Sequence, residues 1–314
     1  MIGSRRNFVG LGIALVGLGL VAPVLPKWLL SLVTIALGQG LVALGLLLLM
    51  RAGLVSFGQG LYFATGAYAV GLASERLGLK DAALQVLLGG LAAASMAAVL
   101  GLLLARYRAI FFAMLSLAFS MILYGILVKS AALGSTDGFG VTVHSVFGLD
   151  AREGLGRYGV YALSALCAFG AAVGIDRFLG SYLGRLGPAV RDNELRVEYM
   201  GASVHGVVYV NLVLAAALAG VGGALTALEV GHIDPEMAYW TTSGEFVFVA
   251  ILSGTTSVAA PFLGAFLLVL LRSYAKQHAP NTWQLVMGAT MLAVILFLPE
   301  GLWSIFRGRK RRAA

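Results

Sequence analysis

The sequence predicts an all-α polytopic membrane protein, and three observations lead there. Of 314 residues, 60% are hydrophobic and only 11% charged, against about 25% charged in soluble domains. Several apolar runs reach the ~20 residues needed to cross a ~30 Å hydrocarbon core. These runs are continuous, unlike the alternating ~10-residue segments of a membrane barrel.

Charges, prolines and glycine clusters divide the chain into about ten transmembrane or partly spanning helices, near 8–25, 28–50, 54–75, 82–104, 109–129, 158–176, 206–229, 244–254, 258–275 and 284–299. Arg5 and Arg6 precede the first run like a secretory leader. Pro23, Pro26 and Lys27 follow it in place of a small-x-small cleavage pattern, so a retained helix is expected. The third span is rich in glycine. The eighth is too short to cross alone at 1.5 Å per residue.

Positive charge orients the spans. With a cytoplasmic amino terminus, Arg5, Arg6, Arg51, Arg106, Arg108, Arg177, Arg185, Arg191, Arg196 and the tail lie inside. Lys27, Arg76, Lys80, Lys129, Arg152, Arg157, Arg272 and Lys276 lie outside. Both termini are then cytoplasmic, as an even number of spans requires. The largest outer segment, 130–157, could dock a soluble partner or simply connect two spans.

The net charge of +8 does not indicate nucleic-acid binding. Arg307, Arg309, Lys310, Arg311 and Arg312 cluster in the tail 304–314, where they suit anionic membrane lipid. Cys167 is the single cysteine and lies within an apolar run. His144, His205, His232 and His278 show no ligand spacing, so no metal site is expected. Glu229 and Glu245 read as solvated acids at helix ends. No nucleophile–base or metal constellation suggests catalysis.

One polar island, 177–198, interrupts this apolar chain. Gly187 and Pro188 read as a helix start, and Gly201 as its left-handed cap. Such a helix would have about 13 residues and a length of roughly 20 Å. Asp192 and Arg196 have the spacing of a helical ion pair worth ~0.2–0.5 kcal/mol. Leu195, Tyr199 and Ala202 share another face by the same spacing. The helix is too polar to span and too short to stand alone in water. It could lie on lipid headgroups, but its acids nearly balance its bases, so docking on a cytoplasmic protein fits better.

Polar groups inside spans are costly and often functional. Ser56, Gln59, Tyr62, Thr65 and Tyr68 lie among closely spaced glycines in the third span, where helices can approach closely or the backbone can unwind. They are candidates for a translocation path, as are Gly254 and Thr256 of the late turn. Close packing of small residues would explain the same glycines.

Five stretches, in order, resemble the LivM-type permeases of branched-chain amino acid ABC importers. They are RLGPAVRDNELRVEYMGA (185–202) with AAALAGVGGA (215–224), RAGLVSFGQG (51–60) with GAY (66–68), STDGFG (135–140), LSGTTSVAAPFLGA (252–265) and FLPEGLW (297–303). The late turn departs from the family pattern, with Ser253, Thr256 and Ala260 where glycine is usual, and the outer loop matches loosely. The resemblance implies a single permease domain over 1–314 in a bacterial inner membrane. It also implies a second, LivH-like permease, two cytoplasmic ATPases that use ATP and Mg, and a periplasmic binding protein. Segment 181–203 would be the ATPase-coupling element, with Pro188, Arg191, Asp192, Asn193, Glu194, Arg196, Glu198 and Gly201 in it. No cofactor is expected on this chain, which has no phosphate-binding loop. The competing expectation is an ion-coupled secondary transporter of small polar solutes.

Overall fold

The computed structural model describes residues 25–143, 145–146, 148–150, 158–297 and 301–303. The expected first span, the basic tail and His144 lie outside these residues. Eleven helices follow in order. They are α1 Lys27–Arg51, α2 Gln59–Leu77, α3 Ala82–Leu104, α4 Ala109–Lys129, α5 Gly159–Gly180, α6 Tyr182–Asp192, α7 Glu194–Tyr199, α8 Val204–Val230, α9 Trp240–Ser253, α10 Ala260–His278 and α11 Trp283–Phe297. Among the described residues, α1, α3, α4, α5 and α8 are long and apolar enough to cross a membrane on their own.

Helix boundaries follow local chemistry. The Asp81 carboxylate accepts the N–H groups of Ala83 and Leu84 at 2.9 and 3.3 Å, starting α3. Ser203 accepts from Gly206 at 3.1 Å to start α8, which ends at left-handed Gly231 (φ 72°).

Helix α8 is the centre of the bundle and packs on α1, α2 and α3. Its Ala/Gly stretch makes this possible: a Cβ on Gly66 of α2 would overlap the Gly220 backbone of α8. Two apolar clusters sit at successive levels. One joins Leu49, Leu104, Phe112 and Leu212 near the island end; the other joins Val86, Leu127, Ala227 and Leu228 at the opposite end. That opposite end carries two short antiparallel ladders, β1 (Phe139–Gly140) with β4 (His232–Ile233), and β2 (Ser145–Val146) with β3 (Leu149–Asp150).

Two expected spans start elsewhere. Helix α2 begins at Gln59, not 54, because Gly53 turns the chain through a left-handed conformation (φ 78°) and residues 54–58 stay non-helical. The eighth span begins at Trp240, four residues before the expected 244, and remains only 14 residues long. It crosses no membrane alone because the chain re-enters ahead of it. After β4, a 3-10 turn at Pro235–Ala238 descends to α4, where Ser120 Oγ donates to the Ala238 carbonyl at 2.7 Å. Ser120 lies about 16 Å along α4 from Ala109, near its middle. Irregular backbone at such depth survives only when protein or a polar cavity surrounds it.

Candidate functional site

The island folds as two helices joined at an angle, not one. Ser181 caps an earlier start, accepting from Gly184 N–H at 3.3 Å, so Pro188 lies inside α6 and does not begin it. There its ring removes one N–H from the ladder. Asn193 then breaks the helix with an extended backbone (φ −163°, ψ 104°), and its side chain accepts from Arg196 N–H at 2.9 Å to start α7. Asn and Asp favour such caps over helix interiors. Gly201 ends the segment in the expected left-handed conformation (φ 83°).

This break overturns the expected Asp192–Arg196 pair, since the two residues lie on different helices. Glu194 of the island instead pairs with Arg108, with Nε to Oε1 at 2.9 Å. Arg108 is the cap residue of α4 and also donates to the Ala105 and Tyr107 carbonyls at 2.6 and 2.9 Å. A second tie runs to the loop before α2, where Arg191 lies over Gly53 and a Cβ there would be 3.1 Å from the Arg191 Cγ.

Beneath the island, Val190 and Val197 pack on Val204 and Val207 of α8, and Ala202 joins that cluster. Ala202 therefore does not share the outer face with Leu195 and Tyr199. That face is solvent-open and apolar: Leu195, Tyr199 and Met200 are 66%, 90% and 77% exposed. Arg191, Asp192, Asn193, Arg196 and Glu198 surround it, all exposed, while Pro188 and Glu194 are half-buried.

The path candidates separate into two places. Ser56, Gln59, Tyr62 and Tyr68 are buried along the start and middle of α2, and Thr65 is half-buried with its hydroxyl on the Leu61 carbonyl at 2.7 Å. Gly254 and Thr256 sit instead at the far end of α9. There Gly254 backs onto Gly301, and the same turn places Val258 against Leu44, Leu47 and Leu48 of α1.

Around the start of α2 a seam of serines closes the backbone. Ser56 Oγ accepts from Gly58 N–H at 3.2 Å, and Ser116 Oγ from Phe57 N–H at 3.2 Å. Ser243 Oγ of α9 accepts from Gly60 N–H at 2.9 Å. The sequence reading missed Ser116, Ser120 and Ser243. Their signal was present in part: Phe112, Ser116 and Ser120 recur every fourth residue, the fully buried stripe of α4. Arg108, read only as an inside charge, was missed as well.

Glu245 is not a solvated end. It is half-buried and forms an ion pair with Arg272 of α10. Glu229 is half-buried too. Among the described residues, no group of three or more His, Cys, Asp or Glu side chains could hold a metal ion.

Comparison with known proteins turns these features into an assignment. Residues 28–295 match the family described as the branched-chain amino acid transport system permease component. The chain belongs to this family. It is 28% identical to the high-affinity branched-chain amino acid transport system permease protein LivM of Escherichia coli, covering 88% of this chain and 69% of that protein. The LivM of Salmonella typhimurium gives the same figures. BraD, a permease protein of the corresponding Pseudomonas aeruginosa system, is 25% identical over 46% of each chain. No solved structure matches significantly. The family and the apolar helices make this a multi-pass membrane protein and a transport component, not an enzyme.

Proposed function

We propose that this chain is one membrane-spanning subunit of an ABC importer in a bacterial inner membrane. It would carry branched-chain or related amino acids received from a periplasmic binding protein. ATP and Mg would be used by two separate cytoplasmic ATPases, and a second permease would complete the path. The observation that carries this reading is the island: a jointed helix pair with an exposed Leu195–Tyr199–Met200 face, tied to α4 through Arg108 and to the α2 loop through Arg191. An apolar patch ringed by mixed charge suits a protein groove better than a lipid surface. Movement imposed on it would reach two of the three elements that form the serine seam, α4 and the loop before α2.

The half-buried Glu245–Arg272 pair is the feature an ion-coupled carrier would use. One experiment separates the readings. A tagged chain expressed with its neighbouring genes in mild detergent should bring down an ATPase, and uptake in proteoliposomes should require enclosed ATP and survive a protonophore. Absence of any ATPase, with uptake abolished by the protonophore, would reverse the assignment.

A further inference from the structure

Two helix N-termini converge deep in the bundle, where the serine seam holds them. Gly58 is the N-cap of α2 and Tyr239 that of α9, and neither gives a side-chain cap to its own helix. They meet face to face: Gly60 N–H bonds Ser243 Oγ, and a Cβ on Gly60 would lie 3.1 and 3.4 Å from the Met237 and Tyr239 carbonyls. Gly58 rests on Ser116, about 10 Å along α4 from Ala109, so the meeting point is within the apolar layer. Each N-terminus carries a partial positive charge of roughly half a unit.

The second observation is Gln59, at the first position of α2. Its side chain is fully buried, yet neither its Nε2 nor its Oε1 has a hydrogen-bond partner in the protein. Leaving such a group unmade is costly, and natural cores rarely retain one without a use.

We propose that this point is a carboxylate-binding station on the path of the permeant. The two α-helix N-termini, with the Gln59 amide, receive the carboxylate of a small solute when the seam opens. In the closed seam, Ser56, Ser116 and Ser243 occupy backbone N–H groups that the carboxylate would otherwise take. Opening therefore exchanges serine acceptors for substrate oxygen, and Gln59 gains the partner it lacks. The proposal rests on the permease reading above.

The test uses the full transporter in lipid nanodiscs, with Cys167→Ala as a background that leaves this chain no other cysteine and with labelling read on this chain's own band. In this background Gln59→Cys should resist an anionic methanethiosulfonate reagent at rest and react at least about tenfold faster during ATP turnover, as a minor exposed state becomes the major one. Isovalerate should slow that labelling, and isovaleramide should not. Continued protection during active hydrolysis overturns the station, and equal slowing by both solutes overturns the carboxylate assignment. Gln59→Met should keep or raise the melting temperature while lowering L-leucine uptake. A fall in melting temperature, or unchanged uptake, also overturns the proposal. Failure of the permease reading would look different: no ATPase would co-purify at all.

Discussion

Arg108 Nε donates to Glu194 Oε1 at 2.9 Å, joining the first cap of α4 to the first residue of α7. The two are 86 residues apart in sequence. Both side chains are partly exposed, so the pair adds little to stability, on the order of 0–1 kcal/mol. Its importance lies in what it connects.

Reversing one charge should therefore separate folding from coupling. Glu194→Lys is expected to insert normally and melt within a degree or two of wild type, but to lose substrate-stimulated transport. Adding Arg108→Glu should recover part of it. Uptake and thermal stability measured on the same preparations decide; an equal loss in single and double variants would show that the bridge transmits nothing.

The exposed face of α7 gives a second contrast. Leu195→Asp and Tyr199→Ala change largely exposed groups, so stability should shift by no more than ~0.5 kcal/mol, while ATPase recovery on affinity purification drops sharply. Val197→Asp places a charge in the valine cluster and should lower the yield of folded protein. If Leu195→Asp retains its ATPase fully, the partner docks elsewhere.

Gly66 and Gly220 set how closely α2 and α8 cross. Gly66→Leu has nowhere to place its side chain, since the neighbour is backbone and cannot turn away. Overpacking of this kind costs ~1–3 kcal/mol or more. Size-exclusion profiles should show aggregated protein, and a monodisperse, wild-type-stable variant would refute the close crossing.

The Glu245–Arg272 pair fastens α9 to α10 in partly buried surroundings. Glu245→Gln leaves the guanidinium without its counter-charge and should destabilise by roughly 2 kcal/mol; replacing both with methionine should cost less, as buried pairs often tolerate apolar exchange. Thermal unfolding of the two variants tests this, and the opposite order would point to a role in ion coupling.

The spans at 82–104 and 109–129 were legible to the residue, because Asp81, Arg106 and Arg108 bracket them with charge and caps. The start of α2 was not. Gly53, Ser56 and Gly58 sit in an apolar run whose hydropathy is unchanged whether the backbone is helical or turned. The start of α9 was missed for a related reason: the depth of 231–239 depends on Ser120, more than 100 residues earlier. In the island, Pro188 drew attention as a helix start because proline usually marks one. Ser181 supplied a better cap, and Asn193, which breaks the segment, looked like an ordinary surface residue. Long-range hydrogen bonds of serine hydroxyls carry no periodic trace, which is why the buried path residues were visible but the groups closing over them were not.

Helix α4 buries only Phe112, Ser116, Ser120 and Leu127, and two of these four are held by hydroxyl–backbone bonds. Each such bond contributes about 1 kcal/mol net and can be replaced by an equivalent one after a small shift. The apolar side of the helix is less easily released, because Phe112, Leu115, Phe119, Leu123 and Leu127 all lie against the two core clusters. A pull on Arg108 at the island end therefore meets two kinds of fastening: hydroxyl bonds that can trade partners over a small shift, and a greasy seat that keeps the helix on the bundle while they do.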